Sequence, residues 1–362
     1  MSRGLDPSRK PALLGGRPTR LRSIEKRAMG NADTPLRCFL AQLAFCLFLC
    51  VSFEVLAQTP ARLPRIGAVS AGPWGSFSTH RAFMAGMREH GYVEGRDFVM
   101  EVRDMEGKAE RYFSANAELA HVPVDVLLVS VCGLPLHAAR QATHTIPIVI
   151  ATCNDDLVGS GTINSMQRPG GNITGLSKLT PELAPKRLSL LKQILPSLSQ
   201  VAVLWNPSYS DFKADWRELK AAAQRIGITL HSYEFRQIGE LDAAFNSMRH
   251  DRVEAMIMFS DVLTFIYAKE FAERASASGL PAIYALREVP DAGGLMSYGP
   301  NIPSMYRRSA DYVVRILQGA NPADLPIEQP TRFEFVVNVK TATALGINFP
   351  QSVLVQADER IE

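Results

Sequence analysis

The feature that most constrains the fold is a rhythm. From residue 64 onward, short runs of β-branched and apolar residues alternate with longer segments of helical period. Runs at 65–70, 97–102, 125–131 and 146–152 have strand length and β-branched, apolar composition. Helices are expected between them at 76–90, 108–121 and 134–143. In the first of these, Phe77, Phe83, Met84 and Met87 gather toward one face while Arg81, Arg88 and Glu89 face water, and Gly91 stands where a helix-ending glycine belongs. Strand, helix, strand in repetition means a parallel sheet covered on both faces.

The rhythm breaks at the Gly- and Pro-rich stretch 168–175 and then restarts. New strands are expected at 200–205, 229–235, 255–260 and 282–285, with helices at 182–195, 213–226, 239–249 and 264–278. A chain of 362 residues has room for two such lobes. The C-terminal stretch is too short for a third domain: a strand at 294–298, a helix at 303–318, a Pro-rich link over 321–330, a strand at 333–338 and a short helix. This tail must complete the two sheets, so the chain crosses between lobes more than once. The expected division is 64–176 with 296–328 as one lobe and 177–295 with 329–362 as the other.

The formal net charge of +3 suggests a nucleic-acid partner until the basic residues are located. Nine of the Lys and Arg lie in residues 1–57 against four acids, leaving 30 basic and 32 acidic residues in the rest. The body lacks the basic footprint of a nucleic-acid binder. The front reads as a secretory signal: Arg37, an apolar run over 38–53, then Val55-Leu56-Ala57 before Gln58, with cleavage expected after Ala57. The run is short for a bilayer span, and the long basic stretch before it points to Met29 as the start of translation.

Cys38, Cys46 and Cys50 leave with the signal, so the exported chain keeps Cys132 and Cys153. No spacing resembles a zinc site, and none of the seven histidines pairs with another at metal spacing. Neither a metal nor a cofactor is expected. Both cysteines fall just past expected strands, a place compatible with a disulfide in an oxidising compartment; two buried thiols is the simpler reading. The run Gly170-Gly-Asn-Ile-Thr-Gly175 lacks the Lys and the spacing of a phosphate loop, and its glycines suit tight turns toward a hinge.

Five motifs in order carry a resemblance: His90-Gly-Tyr-Val-Glu-Gly-Arg-Asp97, Thr145-Ile-Pro-Ile-Val149, Arg168-Pro-Gly-Gly-Asn-Ile-Thr-Gly175, Leu195-Pro-Ser-Leu198 leading to Val201-Ala-Val-Leu204, and Gly319-Ala-Asn-Pro-Ala-Asp-Leu-Pro326. From Pro64 to its end the chain resembles the substrate-binding proteins of ABC importers, in the family of tryptophan and related aromatic amino-acid receptors. The resemblance implies a type I periplasmic binding fold of two hinged α/β lobes, a small solute trapped between them, no catalysis, and delivery to an ABC permease by a periplasmic monomer. At two places the chain departs from the pattern. Ser260-Asp261-Val262 stands where Thr-Asp-Asn is usual, and Cys132-Gly133-Leu134 replaces a loop of Thr-Pro-Ala type. These departures put an aromatic or short organic acid beside an amino acid as the expected ligand.

In open parallel sheets ligands bind beyond the carboxyl ends of the strands, so the residues just past those ends are the candidates. In the first lobe they are Ser70 and Trp74, then Ser130, Cys132 and Gly133, then Thr152, Asn154 and Asp155. In the second they are Asn206, Ser260, Asp261, Tyr284, Tyr298 and Gly299. The helix start after Ser130-Val-Cys-Gly133, and the one after Asn206-Pro-Ser208, suit a ligand carboxylate. Trp74, Tyr284 and Tyr298 suit an aromatic body, and Asp261 an amine. Each has a structural alternative: Ser130, Ser260 and Asp261 as helix caps, Asn206-Pro207 as a turn, and the aromatics as core. A ligand sensor for a signalling receptor shares this architecture, and a secreted α/β enzyme would use Cys132 with His137.

Overall fold

The computed structural model describes residues 62–105, 108, 110–178, 183–207, 212–260 and 262–362. The expected signal with its cleavage point after Ala57 lies outside the described residues, as does Asp261.

The first sheet is wholly parallel, in the order β2-β1-β3-β4-β5. In chain order its elements are β1 (Arg65–Ser70), α1 (Ser78–Glu89), β2 (Val99–Asp104), α2 (Arg111–His121), β3 (Val126–Val131), α3 (Leu134–Ala142), β4 (Ile148–Thr152) and β5 (Ile173–Gly175). All of β4 is buried, as a strand covered on both faces must be, whereas the edge strand β2 is half-exposed. The short β5 lies within the stretch read from sequence as a break. Gly175 there has φ 131°, and a Cβ on it would strike the backbone of Ile150, so only glycine lets the strand close on β4.

The second sheet runs β12-β11-β10-β9-β8-β6-β7. It is built from α4 (Leu183–Ile194), β6 (Gln200–Trp205), α5 (Phe212–Arg225), β7 (Thr229–Glu234), α6 (Leu241–His250), β8 (Ala255–Met258), α7 (Val262–Ile266), α8 (Ala268–Ala277), β9 (Ala282–Tyr284), α9 (Glu288–Asp291) and β10 (Met296–Pro300). The tail adds α10 (Ile302–Leu317), β11 (Phe333–Asn338), α11 (Val339–Ala344), α12 (Gln351–Leu354) and β12 (Glu359–Ile361). Among the described residues only the β10–β11 pair is antiparallel.

Two sequence expectations change here. Residues 296–300, expected to open the return to the first lobe, form β10 of the second sheet, paired with β9 and β11; the return begins with α10. The single helix expected over 264–278 is split at Tyr267, whose φ of −110° and ψ of 33° leave the helical region, so Phe265 on α7 packs against the first lobe's core.

Each sheet has a buried apolar cluster on both faces. On the first sheet one of these clusters is completed by α10, which packs on α1 where Gly86 lies against the Arg307 carbonyl and Ala310. The chain thus passes between sheets after β5, before α10 and before β11. The first and third passages run together: Leu176 and Glu328 form a parallel bridge, and the Ser177 N–H donates to the Glu328 carbonyl at 2.8 Å.

Candidate ligand-binding cleft

Strand ends of both sheets face a cleft of about 920 Å³, counting the solvent at its mouth. Of the residues read from sequence, Ser70, Ser130, Cys132, Thr152, Asn154 and Ser260 line it. Hydrogen bonds converge on the Ser130 carbonyl in this wall. Thr152 Oγ1 donates to the Ser130 carbonyl at 3.0 Å, and Tyr306 Oη reaches the same carbonyl at 3.4 Å. Tyr112 is hydrogen-bonded to Ser130 as well, and burial still pushes its phenol up to about 12. Burial raises the Tyr306 phenol too. Both therefore stay protonated and present neutral, largely apolar rings to the cleft.

Cys132 and Cys153 form a disulfide, with Cα atoms 4.9 Å apart. This overturns the reading as two separate thiols, and it leaves Cys132 without the thiolate that an enzyme using His137 would need. Sequence could not decide the pairing because it depends on β3 and β4 being neighbours.

The start of α3 is not open to a ligand carboxylate as expected. Gly133, at φ 73°, donates its N–H to Asp155 Oδ2 at 3.1 Å. The positive end of that helix thus already holds an anion, which would repel a second one. Gly133 and Asp155 serve each other rather than the cleft wall.

The cleft continues into a smaller polar chamber of about 300 Å³, sharing Asn154, Lys178 and Ser260 with it and adding Arg187 and Asp215. Lys178, on the passage after β5, donates from Nζ to Ser260 Oγ at 3.0 Å. Arg187 on α4 is only 4% exposed, and its Nε donates to the Tyr298 carbonyl at 2.7 Å. Burial pulls its guanidinium down to about 10, with Asp215 opposing the shift, so it remains charged at neutral pH. Two cations and one carboxylate thus surround one small space.

Among the described residues, the remaining sequence candidates do not line the wall. Tyr284 is wholly buried in the core of the second sheet, its hydroxyl without a hydrogen-bond partner among the described residues. Tyr298 lies on the opposite face of that sheet, its ring 6.2 Å from both Phe333 and Phe335. Gly299 exists for strand packing, because a Cβ there would strike the Ala285 carbonyl. Asn206 is buried beyond β6. Trp74 stacks behind the wall on His80 at 4.1 Å between ring centroids.

The wall instead includes residues that sequence reasoning passed over: Phe77, Thr79 and His80 at the start of α1, Tyr112 on α2, Phe265 on α7, and Ile302 and Tyr306 on α10. Phe77 and Phe265 meet across the cleft at 5.9 Å. No local signal marks these residues, since they belong to ordinary helices whose place beside the strand ends is decided only by packing between distant segments.

Two lobes of open, mainly parallel sheet, three crossing segments and a cleft at the strand ends make up the type I periplasmic binding protein fold. The chain belongs to the family described as ABC transporter substrate binding protein, whose sequence profile matches residues 75–361. Proteins of this family are solute-binding receptors that deliver their ligand to an ABC permease. The chain is similar to a tyrosine-binding protein of Clostridioides difficile (strain R20291), with 21% identity over 267 residues that make up 74% of this chain and 76% of that one. Among solved structures it is similar to a conserved domain protein from Vibrio cholerae, at 24% identity and a TM-score of 0.75. It is equally similar to an ABC domain from Streptococcus pneumonia in complex with L-Trp, at 23% identity and 0.75. Each likeness covers 83% of this chain and 100% of the other, and at these identities it speaks for the fold.

Proposed function

We propose that the protein is exported, loses its leader after Ala57, and works in the periplasm as a monomeric receptor for an aromatic or bulky apolar amino acid. One observation carries the ligand class: a small chamber with Lys178, Arg187 and Asp215 opens onto an otherwise largely apolar cleft. The ligand carboxylate meets Lys178 and Arg187, the ammonium turns toward Asp215, and Asn154 and Ser260 supply neutral hydrogen bonds. The side chain fills the space among Phe77, Phe265, Tyr112 and Tyr306. An aromatic acid without an amine forgoes the charge-assisted contact with Asp215. Tyrosine and L-Trp are the ligands named for two similar proteins, which supports the same reading. The lobes we take to be 64–176 with the return segment from Ile302 to 328, and the remainder from 177 onward.

Isothermal titration of the purified protein tests this. Phenylalanine, tyrosine or tryptophan is expected to bind without being consumed, and phenylpropionate to bind at least about tenfold more weakly, the loss of one charge-assisted hydrogen bond. No binding of any aromatic amino acid overturns the reading. Sequencing the N-terminus of the exported protein tests the cleavage point.

A further inference from the structure

His80 stands on the cleft wall near the start of α1, only 6% exposed. Packing fixes its ring: the Trp74 indole stacks on it at 4.1 Å and Phe77 meets it edge-on at 5.1 Å. The Gly75 N–H donates to His80 Nδ1 at 3.3 Å. A ring nitrogen that accepts carries no proton, so the proton of the neutral imidazole is on Nε2. Burial, with Arg81 acting in the same direction, pushes the imidazolium down to about 4, which keeps the ring neutral around pH 7. Nε2 has no hydrogen-bond partner among the described residues, and it is not one of the sealed, orphaned atoms. The ring lines the cleft, and with Nδ1 engaged by Gly75, Nε2 is the ring nitrogen left for a ligand.

The position of His80 relative to the charged groups gives this donor its meaning. Asn154, Lys178 and Ser260 border both the cleft and the small chamber, whereas His80 borders the cleft alone, next to Phe77. An amino acid with its charged head in the chamber presents its side chain, not its carboxylate, to His80. We infer that the His80 Nε2–H is a specificity-determining donor that selects an aromatic side chain carrying an oxygen acceptor, a hydroxyphenyl group above a phenyl. The phenol oxygen accepts from Nε2–H, and its own proton has the hydroxyls of Ser70 and Thr79 on the same wall. A phenyl ring leaves Nε2–H dehydrated and unpaired, which is the costly side of the comparison. The inference rests on the reading of the cleft as an amino-acid site.

Dissociation constants for L-tyrosine and L-phenylalanine on the wild-type protein and on His80→Phe and His80→Gln test it. The wild type is expected to favour tyrosine by about tenfold, the worth of one buried neutral hydrogen bond. His80→Phe is expected to bring the ratio of the two constants close to one, and His80→Gln, which keeps an N–H donor, to retain part of the preference. Equal wild-type affinities, or an unchanged ratio in His80→Phe, overturn the role of His80 and leave the amino-acid reading standing. Failure of both ligands to bind the folded wild type overturns both. The wild-type ratio decides the matter even where a variant does not fold.

Discussion

Lys178 Nζ donates to Ser260 Oγ at 3.0 Å, joining the passage that leaves β5 of the first sheet to the loop after β8 of the second. A side chain rooted beside the hinge thus touches the far lobe at the point where the cleft narrows into the polar chamber.

Replacing Lys178 by Met is expected to weaken binding of the carboxylate ligand by about tenfold to a hundredfold, the range for a hydrogen bond to a charged group. Titration calorimetry measures it, and the melting temperature of the free protein serves as the control. An unchanged affinity would remove Lys178 from the site.

The disulfide between Cys132 and Cys153 closes a loop with a sequence separation of 21. Substituting both by Ser should lower stability by about 3 kcal/mol on loop-closure grounds. Guanidinium unfolding with and without reductant checks this: the wild type in reductant should approach the double variant.

Gly86 faces the Arg307 carbonyl and lies where an added Cβ would come 2.8 Å from Ala310 Cβ. Gly86→Ala must push α1 and α10 apart, so the helical preference for Ala is outweighed and stability should fall by about 1–3 kcal/mol. A variant as stable as the wild type in urea would show that the two helices yield without cost.

Tyr284→Phe removes a sealed hydroxyl that has no partner among the described residues. Stability should hold or rise by up to about 1 kcal/mol, and ligand affinity should not move, because the ring belongs to the core. A loss of affinity in this variant would return Tyr284 to the site.

The neutral state of His80 makes stability pH-dependent. Its folded value of about 4 lies below the value near 6.5 of the unfolded chain. Between the two, the unfolded chain binds more protons, so this group removes stability as the pH falls from about 6.5 toward about 4 and adds no further loss below. Melting curves of wild type and His80→Phe across that window should diverge in this direction. Parallel curves would mean that the imidazole titrates normally.

Much of the fold is local and so was readable from one chain. The strands at 65–70, 200–205 and 333–338 match β1, β6 and β11 in full, because a short apolar run closed by turn residues leaves few alternatives. The cleft was half readable. Ser70, Ser130, Cys132, Thr152, Asn154 and Ser260 sit at or just past strand ends, a place that parallel topology reserves for ligands. Tyr284 and Tyr298 were read by the same rule and lie elsewhere, since a strand sends successive side chains to opposite faces and both faces of this sheet are buried.

The sequence by itself determined that this chain makes two parallel α/β lobes, because hydrophobic period and turn residues act over a few neighbours. Tertiary structure decided the rest: the sheet that β10 joins, the pairing of Cys132 with Cys153, the filling of the α3 terminus by Asp155, and the meeting of His80, Lys178 and Tyr306 around a cleft that shares Lys178 with the Arg187 chamber. Those outcomes depend on contacts between segments far apart in the chain, and no local pattern encodes a distance that only packing sets.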